Sequence, residues 1–591
     1  MKFSEAHKQA EHFLQNEKQF HLGILPTEQS NPKTRGIDRK FAKNPADGVK
    51  TLLSVDRNIQ TMAEKVLKGN EFREMVEAGV NAVAQGGKIV FSGCGSTGRL
   101  SILLESMWRY FFRDMKNQNP EIYRKIKSLE NCVFSIMTGG DYALIRSVEY
   151  FEDYQEFGRQ QVREMDITSR DVLVAITEGG ETSSVLGTVE EAADRGAKVF
   201  LLFNNPASIL IENIERSRRA IEDPRVTVLE LFCGPMAIAG STRMQATTAE
   251  QLIAGAALEI ILSRSIEPFL TPDQQEKLNI RETDYAGAFD TLLDDLLTLQ
   301  HTEIISTYIK RETEIYRSKG LVTYFADELL LDIFTDTTER APTFMLPPFK
   351  KFDDSVSPVS WAFVKSPLRP TPAAWEHVLG RSPRCLEWDT RLYRQMGVPE
   401  KLASAPPELD ISQILKFHIG NEEDHSRTYR APNIAVSIMR SREALSPSYE
   451  EYRTAFHNRT MGFQQRVTLV IGPDETAADY QIICSPSPSV LNLVERLAVK
   501  MILNTISTGT MVLMDRVTSN WMSWVEISNK KLRDRGIRLI SEICGLSYRD
   551  ACYTLHETIE TMEGMDFAGS ERPSPVQFTI DQFREKTRSI D

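Results

Sequence analysis

Two series of short apolar runs, each alternating with longer stretches of helical character, constrain this sequence more than any other feature. The first series is Lys88–Ser92, Val133–Met137, Val172–Ile176, Lys198–Phe203 and Val226–Leu231. The second is Gly320–Phe325, Trp361–Val364, Ile434–Ile438, Arg466–Ile471 and Gln481–Ile483. Runs of roughly four to eight apolar residues between helical segments predict the strands of a parallel sheet covered on both faces. A chain of 591 residues also exceeds what one hydrophobic core serves, in keeping with two such units. The expected fold class is therefore α/β. It comprises a helical N-terminal arm over 1–70, a first domain over 71–270, a second over 271–500 and a helical C-terminal cap over 501–591.

Charge and cysteine usage narrow the function. Lys+Arg 70 against Asp+Glu 82 gives a net charge of -12, which disfavours nucleic-acid binding and requires any anionic ligand to be held by a local site. The seven cysteines show no CxxC pair, as expected of reduced thiols in a cytoplasmic protein. Met1–Gln19 is charged and has no apolar core, and no apolar stretch reaches membrane-spanning length, so neither a signal peptide nor a membrane partner is expected. None of the nine histidines stands in an HxxxH or HExxH spacing, and no nucleotide motif is present, so neither metal nor cofactor is expected.

Two strand-to-helix turns carry the candidate chemistry. In Phe91-Ser92-Gly93-Cys94-Gly95-Ser96-Thr97-Gly98-Arg99-Leu100, glycines let the backbone approach a ligand, while free N–H groups at a helix start attract an anion. No Gly-Lys-Ser/Thr follows, so it is not a Walker loop, and no acidic residue completes a dinucleotide fingerprint. The second turn is Thr177-Glu178-Gly179-Gly180-Glu181-Thr182-Ser183-Ser184. Two such turns in one parallel sheet place donor clusters on the same carboxyl edge, where α/β sheets bind ligands. Gly95, Ser96, Thr97, Thr177, Gly179, Thr182 and Ser183 are the expected phosphate-binding residues. Glu178 and Glu181 read as solvent-facing carboxylates, favourable at a helix N-terminus.

These paired loops resemble those of the sugar isomerase (SIS) domain. Four further stretches are similar to one branch, the N-acetylmuramic acid 6-phosphate etherases and glucokinase regulatory proteins. They are Thr27–Thr34 with Ile37-Asp38; Thr138–Tyr142 with Glu149 and Glu152-Asp153; Gly240-Ser241-Thr242-Arg243-Met244; and Ser528–Leu532 with Arg535. The resemblance implies two three-layer α/β/α domains of flavodoxin-like type. The first half has Met107 where the etherases carry a catalytic acid, whereas Asp336–Phe344 matches that acid-bearing segment and places Glu339 there. In the second half Phe325-Ala326-Asp327-Glu328 has lost the glycines and hydroxyls of the phosphate loop. The losses are complementary, which implies one composite site with Glu152 as base, Glu339 as acid, and Lys531 and Arg535 reaching in from the cap. Arg243 reads equally as a ligand contact or as the structural partner of a carboxylate.

The implied function is binding of a sugar phosphate, with cleavage of the lactyl ether of N-acetylmuramic acid 6-phosphate by a carbon–oxygen lyase. The alternative is a non-catalytic sensor that regulates a glucokinase-type sugar kinase. An aldose–ketose isomerase fits the Gly180-Glu181-Thr182 run but lacks a histidine or lysine beside the loops. Segments 345–372 and 405–430 are candidate docking faces for a partner, with surface loops as the plainer expectation.

Overall fold

A computed structural model describes residues 4–567 and 571–588. Two five-stranded sheets form, every pairing in them parallel. The first contains β1 (Ile89–Gly93), β2 (Val133–Met137), β3 (Val172–Ile176), β4 (Lys198–Phe203) and β5 (Val226–Glu230), in the order β2-β1-β3-β4-β5. The second contains β6 (Leu321–Phe325), β7 (Ala362–Lys365), β8 (Asn433–Arg440), β9 (Gln465–Gly472) and β10 (Tyr480–Ile483), in the order β7-β6-β8-β9-β10. The two orders are the same topology executed twice. β3 is buried at all five positions, as a Val-Leu-Val-Ala-Ile run between two helical layers must be. The edge strand β5 is only partly buried and carries Thr227 and Glu230 among its apolar residues, because one side of it meets water.

Each sheet is followed by a long helix, Gln245–Ile266 and Leu493–Leu513, and these two pack together at the centre of the molecule. Both are buried on nearly every face, and the polar side chains among them, such as Glu259, Lys500 and Asn504, are hydrogen-bonded inside. Gly255 permits their approach: a Cβ there would stand 2.4 Å from the Leu493 side chain. Glu259 of the first helix accepts hydrogen bonds from the Leu491 and Leu493 amides (2.9 and 3.1 Å) and from Ser489 Oγ (2.7 Å). It thereby satisfies N–H groups at the start of the second helix that would otherwise be orphaned.

Further buried polar contacts join the halves. Glu105 accepts from Arg109 (2.8 Å), Arg381 (3.0 Å), Ser135 (2.7 Å) and Arg384. Asp141 receives Arg381 and the Arg384 amide. Glu105 is thus the anchor of segment 381–384, and neighbouring Met107 lies in the apolar core. Segments 345–372 and 405–430 are not simple surface loops. Leu346, Phe349, Phe417 and Ile419 are buried, and the Arg427 guanidinium lies inside, donating to the carbonyls of Ser360 and Val322. Their apolar residues need cover, and the second sheet supplies it. Among the described residues no helix is long and apolar enough to cross a membrane.

Candidate functional site

The strand order reverses between β1 and β3, so the turns that follow these two strands flank the switch point of the first sheet, where doubly wound sheets hold ligands. After β1 the chain passes through Gly95 at φ 57°, a left-handed conformation that costs glycine nothing. The helix Ser96–Gln118 then begins with no side-chain cap. After β3, Thr182 precedes the helix Ser183–Asp194, also without a side-chain cap. Both helix starts therefore present unpaired backbone N–H groups and the positive ends of their dipoles toward one cleft.

That cleft is lined by Gly95, Ser96, Thr182, Glu152, Glu339, Arg243, Lys531 and Arg535, all anticipated from sequence. The other anticipated residues lie behind its surface. Thr97 is buried, its hydroxyl donating to the Cys94 carbonyl (2.9 Å) and accepting from the Cys94 amide (3.0 Å), so it shapes the loop. Thr177 donates to the Thr182 hydroxyl at 3.2 Å and orients it. Gly179 holds the second loop down through its carbonyl, which accepts from Asn205 (2.9 Å). Ser183 is part-buried at the first position of its helix and is not among the lining residues.

The walls come from distant parts of the chain. Glu152, in the turn Glu149–Asp153, accepts from the Asn529 side-chain amide at 2.9 Å. Asn529 in turn caps the helix Lys530–Cys544 by accepting from the Leu532 amide (2.8 Å). Lys531 and Arg535 lie one turn apart on that helix. Lys531 pairs with Glu181 (2.8 Å), and Arg535 makes a two-pronged contact with Glu28 (3.0 and 2.7 Å). Glu28 belongs to the N-terminal segment Thr27–Thr34, which is tied down by Asn31 to the Pro235 carbonyl (2.6 Å) and by Thr34 to that of Ala237 (2.6 Å). Glu339 arrives from the second half and is held by Arg99.

Two sequence expectations need correction. Glu181 does not face solvent: it is buried between Lys531 and Arg216 (2.5 Å). Burial alone would raise its carboxyl, but those two cations bring it down to about 2. Lys531 shows the reciprocal effect: burial opposes its charge, yet Glu181, Glu152 and Glu28 together hold it above its usual range. Glu178 is half-buried and lines the cleft. Burial pushes its carboxyl up to about 7, with the Glu339 charge adding to the rise and Lys531 opposing it. Arg243 lines the cleft and also ties the halves together: it pairs with Asp336 (2.8 Å) and donates to Ser507 and Thr508 (3.1 and 2.8 Å). Thr242, Met522 and Asn529 also line the cleft. Among the described residues, no three His, Cys, Asp or Glu side chains converge as a metal would require.

Comparison with known proteins places the sequence among relatives. A family model described as "Glucokinase regulatory protein N-terminal SIS domain" matches residues 71–193. N-acetylmuramic acid 6-phosphate etherase 1 of Bacillus licheniformis is 30% identical over 233 residues, which are 39% of this chain and 67% of the relative. The chain belongs to the family of the N-acetylmuramic acid 6-phosphate etherases and glucokinase regulatory proteins. Another family member, the N-acetylmuramic acid 6-phosphate etherase of Glaesserella parasuis serovar 5, is 32% identical over 232 residues, 39% of this chain and 66% of its own length. The match to these etherases thus spans about two thirds of their length. Among solved structures, the tagatose-6-phosphate ketose/aldose isomerase of Escherichia coli aligns over 83% of this chain and 98% of its own at 11% identity, with a TM-score of 0.40. The fold assignment rests on the two sheets themselves.

Proposed function

We propose that this chain binds an amino-sugar 6-phosphate in the composite cleft and cleaves the lactyl ether of N-acetylmuramic acid 6-phosphate there, with one site per chain. One observation carries the reading: Glu152 from the first half and Glu339 from the second face the same cleft, below two uncapped helix starts. The phosphate would lie against the Ser96 and Thr182 ends of those helices, with Lys531 and Arg535 offsetting its charge. Glu152 would remove the proton from sugar carbon two. Glu339 would protonate the lactyl oxygen as its bond to carbon three breaks. Water then adds at carbon three, so the balance is ether plus water giving alcohol and lactate.

Elimination needs one carboxylate and one carboxylic acid at the same pH, so the groups must titrate apart. Glu178 supplies the difference. It is raised to about 7 and sits near Glu339, so its own carboxyl carries a proton beside Glu339 near neutrality. The edge of the second sheet supports a single site. Asp327 there is engaged by Arg369 and His377 and Glu328 by Arg440, where a phosphate cradle would need free donors. The proposal includes the limits 71–270 and 271–500 for the two domains and a cytoplasmic setting.

The test incubates purified protein with N-acetylmuramic acid 6-phosphate and assays D-lactate, alongside Glu152→Gln and Glu339→Gln. Release that both substitutions abolish, with one ligand bound per chain, is the expected result. No release, combined with thermal stabilisation by a hexose 6-phosphate, would replace it with the sensor reading and direct the search to a kinase partner.

A further inference from the structure

Pro342 and Leu532 line the sugar-phosphate cleft on one side and a second, more inward cavity on the other. Arg146, Ser147, Thr338 and Trp361 form part of its wall. Three features mark it as a place for an anion. Arg146 follows the short helix Tyr142–Ile145 and is half-buried, and among the described residues its guanidinium has neither a carboxylate partner nor a hydrogen-bond acceptor. Half-buried arginines ordinarily find one, because desolvating a charge without a partner is costly. The Thr338 hydroxyl is buried in the same wall and also lacks a partner. Nearby Lys351 is held below its usual range by burial first and by the Arg146 charge second, so positive charge gathers at this corner. Arg340, also in the wall, is already committed to Asp336 and Glu312, and the carboxylate Glu526 stands at the exposed rim.

The cavity wall also connects to the proposed acid Glu339. Ser147, next to Arg146, accepts from Arg99 at 3.3 Å, and Arg99 is the residue that holds Glu339. We propose that this second cavity is a carboxylate subsite, in which Arg146 and the Thr338 hydroxyl take the carboxylate of an acid-bearing substituent on the sugar. The inference rests on the sugar-phosphate reading of the adjoining cleft and adds to it a reason for choosing a lactyl-bearing sugar over a plain hexose phosphate.

The test measures binding by calorimetry in Glu152→Gln, where the ligand persists, using N-acetylmuramic acid 6-phosphate and N-acetylglucosamine 6-phosphate. The second ligand has the same phosphate and amide but no carboxylate. Arg146→Gln should weaken the muramic ligand at least about tenfold, as loss of a charge-assisted hydrogen bond does, and leave the glucosamine ligand within about twofold. Arg146→Lys should recover part of the loss. Equal affinity of the unaltered cavity for both ligands, or equal weakening of both by Arg146→Gln, overturns the carboxylate subsite while the sugar-phosphate reading stands. Failure of either ligand to bind the wild-type and the Glu152→Gln proteins overturns both.

Discussion

Arg99 and Glu339 stand 240 residues apart, yet form a hydrogen-bonded ion pair in which the guanidinium side chain has no exposed surface. Arg99 also donates to the carbonyls of Leu144 (3.0 Å) and Ala143 (2.8 Å), so it fixes the loop after β2 and the second-half carboxylate in one arrangement. Glu339→Gln keeps a hydrogen-bond acceptor for Arg99. It should leave sugar-phosphate affinity within a few-fold and lower lactate release by about 10²- to 10⁴-fold, the range for loss of a general acid. Glu339→Ala should in addition lower the melting temperature, because a buried guanidinium loses its counter-charge at a cost of about 3–5 kcal/mol.

The raised carboxyl of Glu178 predicts an alkaline limb in the pH profile of the proposed reaction. Its carboxyl is raised to about 7, so its protonated form dominates below that pH and is lost above it. If that proton is the one delivered to the leaving oxygen, the rate of lactate release should fall by about tenfold per unit above pH 7. Glu178→Gln should slow the reaction and flatten that limb. A profile of unchanged shape in the variant would remove Glu178 from the chemistry.

Lys531 lines the cleft and also holds a buried carboxylate. It pairs with Glu181, and its charge opposes the rise of Glu178. Lys531→Met should weaken N-acetylglucosamine 6-phosphate binding by about ten- to a hundredfold through the lost cation. It should also move the alkaline limb upward, since Glu178 would hold its proton more tightly. Calorimetry and the pH–rate profile read the two effects separately.

Acid should loosen the contact between the halves. Burial would raise the Glu105 carboxyl, but Arg381, Arg384 and Arg109 bring it down to about 2 from an ordinary value of 4.5. A carboxyl depressed in the folded state contributes stability above its unfolded value and loses it as pH falls through the folded one. The window is therefore pH 4.5 down to 2, and Glu181 titrates in the same window. Denaturant midpoints should fall across it. Glu105→Gln should reduce that dependence and cost about 3 kcal/mol at neutral pH.

The sheet strands were readable because each is a run of Val, Ile, Leu and Phe in a doubly covered sheet, where burial leaves little choice of residue. Ser96, Thr182, Glu152, Glu339, Lys531 and Arg535 were readable from motifs, and the fold brings all six to one cleft. The environment of Glu178 and Glu181 was not. Whether a carboxylate beside a helix start faces water depends on what covers it, and the cover here is Lys531, 350 residues onward, together with Arg216. Local spacing carries no record of such a contact. The same holds for Arg146, whose significance lies in the partner it lacks.

The two-pronged contact of Arg535 with Glu28 spans 507 positions. On a ribosome the strap over 27–34 emerges long before Arg535, Arg538 and Asn520, which receive it. The first sheet is made long before, but its carboxyl edge stays without that wall until the helix Lys530–Cys544 arrives. A product cut before residue 520 would therefore lack Lys531 and Arg535, and with them one wall of the cleft.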